Sequence, residues 1–174
     1  MRFHIHTLSR AAWMTAITCV CSVVAIPLPI SPAPVTLALF AVVFCGMLLS
    51  PGGAVLSQVG YLFLGCVGLP VFSGFSSGVG VLFGPTGGYL LMYPVLALLV
   101  SLGARQGNFR RTILGIAGGM VCCYGVGTLW MALVMKLAFS AAFFAAVVPF
   151  LLPDGGKILL AVWLGRRLRR FRMG

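Results

Sequence analysis

Between Arg10 and Arg166 the chain is a succession of apolar runs, each ended by a string of prolines or glycines or by a short basic patch. Crossing the hydrocarbon of a bilayer takes about 20 mainly apolar residues in a helix. Such runs, repeated through 174 residues, leave little choice of fold. With 61% hydrophobic and 7% charged residues, the chain has too few polar side chains to coat a water-soluble domain. The pattern predicts an all-α integral membrane bundle of six helices with irregular outer loops, forming one transmembrane domain over residues 1–174.

The spans are placed as follows. The first runs from Leu8 to Ile26 and is read as a retained helix, not a cleaved leader, because further membrane segments follow it. The string Pro27-Leu28-Pro29-Ile30-Ser31-Pro32-Ala33-Pro34 cannot continue a helix and is an extended connection. The second span is Val35 to Leu49, the tight turn Ser50-Pro51-Gly52-Gly53 follows, and the third span is Ala54 to Leu69. From Pro70 to Gly88 the chain is too apolar for a solvated linker and too glycine-rich for a stable helix. Non-helical backbone at membrane depth persists where it is buried or lines a cavity. Spans four and five run from Tyr89 to Ala104 and from Thr112 to Met135, joined by the basic loop Arg105 to Arg111. The apolar stretch Leu137 to Leu152 is a short outer helix or a re-entrant piece. The sixth span is Asp154 to Leu164, and Arg166 to Arg172 form a basic tail.

The arginines orient this arrangement. Six spans put Arg2, Arg10, Arg105, Arg110, Arg111 and the tail on one face, and an excess of Arg and Lys marks the cytoplasmic side. Both termini are then cytoplasmic. The proline-rich connection, the glycine-rich stretch and the ionisable residues near 154 converge on the outer end, where a ligand pocket is expected.

Asp154 is the only acidic side chain in the chain. Lys157 stands three residues later, so on a helix the two share a face. Two readings of Asp154 remain open from the residues alone. It caps the last helix, favoured by the positive end of the helix dipole, or it holds a ligand, as ionisable groups inside membrane segments commonly do.

Other functions are disfavoured. The net charge of +11 invites a nucleic-acid reading, but the arginines flank membrane spans and do not alternate with aromatics on a polar face. The six cysteines lie inside apolar runs, without C-x-x-C pairing and far from His4 and His6. They read as small apolar packing residues, not as a metal or disulfide set. One acid and two N-terminal histidines supply no acid–base pair for catalysis. The string GPTGGY at Gly84 to Tyr89 lacks the Lys of a phosphate loop, so the chain has no recognisable means of using ATP itself.

Several strings together resemble one family. They are Pro34-Val35-Thr36-Leu37, Gly68-Leu69-Pro70-Val71-Phe72, Gly80-Val81-Leu82-Phe83-Gly84-Pro85-Thr86-Gly87-Gly88-Tyr89-Leu90 and Pro149-Phe150-Leu151-Leu152-Pro153-Asp154-Gly155-Gly156-Lys157. In order and spacing they are similar to the BioY-type biotin transporters, the substrate-binding S components of energy-coupling-factor (ECF) transporters. The resemblance implies uptake of biotin from outside. It implies docking on a membrane scaffold subunit and release driven by two cytoplasmic ATPases, the only users of ATP. The family's scaffold-contact pattern in its first helix falls on Ala12 and Ala16. Its last-helix Asp and Lys fall on Asp154 and Lys157.

Biotin offers ureido N–H donors, a carbonyl, an apolar bicycle and a carboxylate. On that reading Asp154 accepts a ureido N–H, and Lys157 completes the polar network or meets the carboxylate. Phe75 and Tyr89 wall the pocket, and Ser73, Ser76, Thr36 and Thr86 are possible hydroxyl partners. Three departures stand out: Ala38 where a Gln is common, Leu152-Pro153-Asp154 where Pro-Gly-Asp is common, and Gly155-Gly156 after the Asp. The two glycines should weaken a helix start by about 1 kcal/mol each relative to Ala.

Overall fold

The computed structural model describes residues 5–27, 33–105 and 107–173. Residues 28–32 of the proline-rich connection, and Arg2, lie outside the described residues. The elements, in order, begin with α1 (Ile5–Val23), β1 (Ala25–Ile26), β2 (Val35–Thr36), α2 (Ala38–Leu48) and α3 (Pro51–Cys66). A 3₁₀ turn (Ser73–Phe75) and the short α4 (Val79–Phe83) follow. The chain then builds α5 (Gly87–Arg105), α6 (Phe109–Met135), α7 (Phe139–Ala146) and α8 (Val148–Met173).

Among the described residues, three helices are long and apolar enough to cross a membrane: α5, α6 and α8 over Val148–Leu168. Helices α1, α2 and α3 follow the other expected spans in order, but α2 has 11 residues and α3 has 16. At 1.5 Å per residue, α2 reaches only about half the hydrocarbon thickness. Its start differs from the expected Val35 for a local reason. Val35 and Thr36 are β-branched residues that pair antiparallel with Ile26 and Ala25, so the chain closes a small hairpin before the helix begins.

Two other boundaries need correction. Ser50 to Gly53 is not a turn, because Ser50 is the cap and α3 starts at Pro51, where a proline needs no N–H partner. The last helix starts at Val148, not at Asp154, so Pro149 to Leu152 belong to it. Pro149 sits in the first turn, where its missing N–H is harmless. Pro153 lies inside the helix, and the bond it cannot make would have gone to the Pro149 carbonyl. Asp154 is therefore an interior residue of α8 and not its cap.

Helix α2 is the axis of the bundle. Nine of its 11 residues are buried, which explains why it is apolar on every side. It is packed against α1, α5 and α8. The most extensive helix pairing is between antiparallel α5 and α6, where glycines let backbones meet. A Cβ on Gly115 would lie 2.4 Å from the Leu99 carbonyl oxygen, and one on Gly103 would lie 2.3 Å from that of Arg111. Close backbone approach at small residues is how helices associate in lipid, where hydrophobic burial gives no advantage.

Three contacts define one end of the bundle. Gly53 of α3 lies beside Thr7 of α1, Gly165 of α8 beside Met47 of α2, and the Ser101 hydroxyl of α5 donates to the Leu49 carbonyl. The start of α1 and the end of α8 are thus at this end. The hairpin, α4, α7 and the start of α8 are at the other.

Candidate functional site

At that other end a cavity opens between α1, the hairpin, α2, α5, α6, α7 and α8. Water-sized spheres fit within it over about 90 Å³, several times the roughly 10–15 Å³ that a single buried water requires. Leu39, Leu90, Tyr93, Ala146 and Phe150 supply apolar walls, with Pro34 on the hairpin side. Such a wall with a few placed polar groups is the usual form of a small-molecule site.

The polar groups centre on Asp154. Its carboxylate is buried, with the residue only 6% exposed. The Lys157 ammonium donates to Oδ1 at 2.7 Å. The Tyr124 hydroxyl, on α6, donates to Oδ2 at 2.6 Å. Each oxygen has one charged or phenolic donor and keeps a lone pair. Interior placement in α8 explains this geometry. The i, i+3 spacing stacks Lys157 beside Asp154, and a position two turns into the helix carries the carboxylate down to the level of Tyr124. Among the described residues this is the only salt bridge.

Six of the residues singled out in the sequence line the cavity: Thr36, Ser73, Thr86, Tyr89, Asp154 and Lys157. The Tyr89 hydroxyl pairs with the Thr128 hydroxyl at 3.0 Å, which fixes the ring along the wall. Gly127 beneath it has no room for a side chain, since a Cβ there would lie 2.4 Å from the Tyr89 ring. The GPTGGY string is held at its first residue by the indole of Trp130, which donates to the Gly84 carbonyl at 3.0 Å.

The other two candidates lie outside the cavity lining. Phe75 is 71% exposed and adopts a left-handed backbone, φ 60°. Ser76 turns its hydroxyl onto the Ser73 carbonyl at 2.8 Å and so braces the loop. Gly74 and Gly78 flank this segment with φ of 65° and 91°, conformations that glycine takes at no steric cost. Ala12 and Ala16 are exposed on α1, outside its buried row of Ala11, Thr15, Thr18 and Ser22.

Sequence reading missed Tyr124, Tyr93, Cys123 and Ser22. The signal for the first two was present. All four tyrosines lie inside apolar helices, and a phenol there brings a hydroxyl that needs a partner. For Tyr124 that partner is the lone acid.

Comparison with known proteins agrees with this architecture. The chain matches the BioY family over residues 1–173. It is 35% identical to a probable biotin transporter BioY of Pyrococcus horikoshii, across 83% of this chain and 85% of that one. It is also 35% identical to biotin transporter BioY2 of Lactococcus lactis, across 95% and 91%. For biotin transporter BioY of Thermotoga maritima the identity is 34%, across 85% and 88%. Among solved structures it superposes on the S-component for biotin from an ECF-type ABC transporter. The TM-score is 0.87 at 26% identity, covering 95% of this chain and 92% of the other. The chain belongs to the BioY family.

Proposed function

We propose that this chain binds biotin in the cavity above Asp154 and carries it into the cell as the S component of an ECF-type transporter. The observation that carries the reading is the single buried carboxylate, paired with Lys157 and Tyr124, in an apolar cavity of small-molecule size. Proteins with this fold and these sequence relatives are named for biotin.

The pairing suggests which end of biotin enters first. Lys157 already balances Asp154, so the described lining is neutral overall. The pair offers a second carboxylate no net attraction, since repulsion by Asp154 offsets attraction to Lys157. The ureido ring brings no charge. Its N–H groups suit the free lone pairs of Asp154, and its carbonyl suits Lys157. The bicycle then lies against Tyr89, Leu90 and Tyr93, with the carboxylate toward the mouth. Phe75, on its glycine-flanked turn, reaches the ligand by folding inward, with Ser73, Ser76, Thr36 and Thr86 as hydroxyl partners.

In this reading the end of the bundle holding Arg105, Arg110, Arg111 and Arg166 lies in the cytoplasm with both termini, because an excess of Arg and Lys favours that side. On this reading six helices make up the bundle in the cell membrane, with the short α2 enclosed by the others, and the cavity faces outward. Exposed Ala12 and Ala16 suit close contact with the scaffold subunit, and two ATPases supply the energy.

Equilibrium binding of labelled biotin to the purified protein tests the site. The Asp154→Asn variant should bind tenfold or more weakly, since a hydrogen bond to a charged group is worth about 1.5–3 kcal/mol. Unchanged affinity removes Asp154 from the site. Competition by thiamine or riboflavin at equal strength would point to a different vitamin.

A further inference from the structure

The end of the bundle opposite the cavity is strongly basic and carries no acid. Arg105 closes α5, Arg110 and Arg111 open α6, and Arg166 and Arg167 follow the apolar part of α8. All five are exposed. The only acidic side chain of the chain is in the cavity, committed to Lys157, so nothing acidic in the sequence neutralises this end.

The arginines are also gathered. The Arg166 guanidinium lies 4.6 Å from the centre of the Phe109 ring, which ties the end of α8 to the start of α6. Arg110 and Arg111 follow Phe109 directly. The Arg167 guanidinium lies 5.5 Å from the centre of the Trp163 ring. Both rings are about half exposed, Phe109 at 48% and Trp163 at 58%. A Trp ring at the end of an apolar helix sits at the boundary between headgroups and acyl chains, and an apolar Phe ring suits the acyl side of that boundary.

We propose that this face is a docking surface for anionic phospholipid, with Arg110, Arg111, Arg166 and Arg167 meeting headgroup phosphates while Phe109 and Trp163 rest on the upper acyl chains. Charge complementarity gives the sign of the partner. The paired aromatics give its class, because an acidic protein surface or a free anion would leave both rings without apolar cover. Basic clusters directly beside membrane helices bind anionic headgroups in this way. The surface is distinct from the cavity and does not depend on what the cavity holds.

The test uses the full chain in a neutral detergent, titrated with short-chain phosphatidylglycerol, short-chain phosphatidylcholine or inorganic phosphate, with the melting temperature and the count of bound lipids by native mass spectrometry as readouts. Phosphatidylglycerol should bind and raise the melting temperature, while phosphatidylcholine and phosphate should do neither. Replacing the four arginines by Gln should lower the lipid preference by about fivefold for each residue changed. Gel filtration and the melting temperature without lipid show that the variant is folded. A second variant, Arg166→Gln alone, should lose part of the preference if the full replacement does not fold. Equal binding of phosphatidylcholine, an equal effect of phosphate, or full retention of the preference in a folded variant overturns the proposal.

Discussion

The Tyr124 hydroxyl and the Asp154 carboxylate meet at 2.6 Å although they lie 30 residues apart on different helices. This bond ties α6 to α8 at the floor of the cavity and orients the second oxygen of the acid. Lys157 on the same helix as Asp154 settles the first oxygen. The carboxylate is thus fixed from two sides, by α6 and by its own helix.

Removing the phenolic oxygen while keeping the ring tests that positioning. Tyr124→Phe should weaken biotin binding about tenfold and lower the melting temperature, because a buried hydrogen bond to a charged group is lost. Labelled-biotin binding and a thermal melt in detergent give both values. Unchanged affinity with a lower melting temperature would make Tyr124 a structural tie alone.

The ion pair should behave as a unit. Lys157→Met leaves a buried carboxylate without its countercharge, a change that costs about 3–5 kcal/mol where measured. Asp154→Asn combined with Lys157→Met removes both charges and should melt above Lys157→Met alone. A double variant no more stable than that single one would show that the pair is not coupled in the way the 2.7 Å contact suggests.

Two glycines of α6 should respond in opposite directions. A Cβ at Gly115 would strike the Leu99 carbonyl oxygen at 2.4 Å, and backbone cannot move aside cheaply. Gly115→Ala should cost about 1–3 kcal/mol in a denaturant titration. Gly118 has nothing within 4 Å of a Cβ, so Gly118→Ala should be neutral or gain up to about 1 kcal/mol from helix propensity.

Between α1 and α3 a row of polar side chains is buried. Thr15 donates to the Ser57 carbonyl at 2.8 Å, and the Gln58 amide donates to the Thr18 hydroxyl at 3.3 Å. The Gln58 amide oxygen is buried without a partner among the described residues. Leaving such an acceptor unpaired costs about 1–3 kcal/mol. Gln58→Met keeps the length and removes the orphan, so its unfolding midpoint should equal or exceed that of the parent. A clear loss of stability would show that the oxygen has found a donor, such as a trapped water.

Much of this was legible in the chain because membrane helices are written in composition. The order of the helices followed from apolar runs, whereas Thr36, Ser73, Thr86 and Tyr89 were picked out beside Asp154 through the family resemblance. Helix ends were less legible. Pro51 and Pro149 look like breakers in sequence, yet each stands in a first turn, where a missing N–H does no harm. For that reason the start of α3 was read as a turn and the start of α8 was set six residues late. Tyr124 escaped because its importance lies in a contact across 30 residues, which no local pattern encodes.

The placement of both charges on α8 bears on how the site could let its cargo go. Asp154 and Lys157 ride on one helix, so a tilt or slide of α8 carries them together and leaves their bond intact. The phenol of Tyr124 belongs to α6 and stays behind. Such a movement would strip one donor from the carboxylate without exposing an unbalanced charge to the membrane. The cost of such a displacement is the single Tyr124 hydrogen bond, while the charges travel as a closed pair.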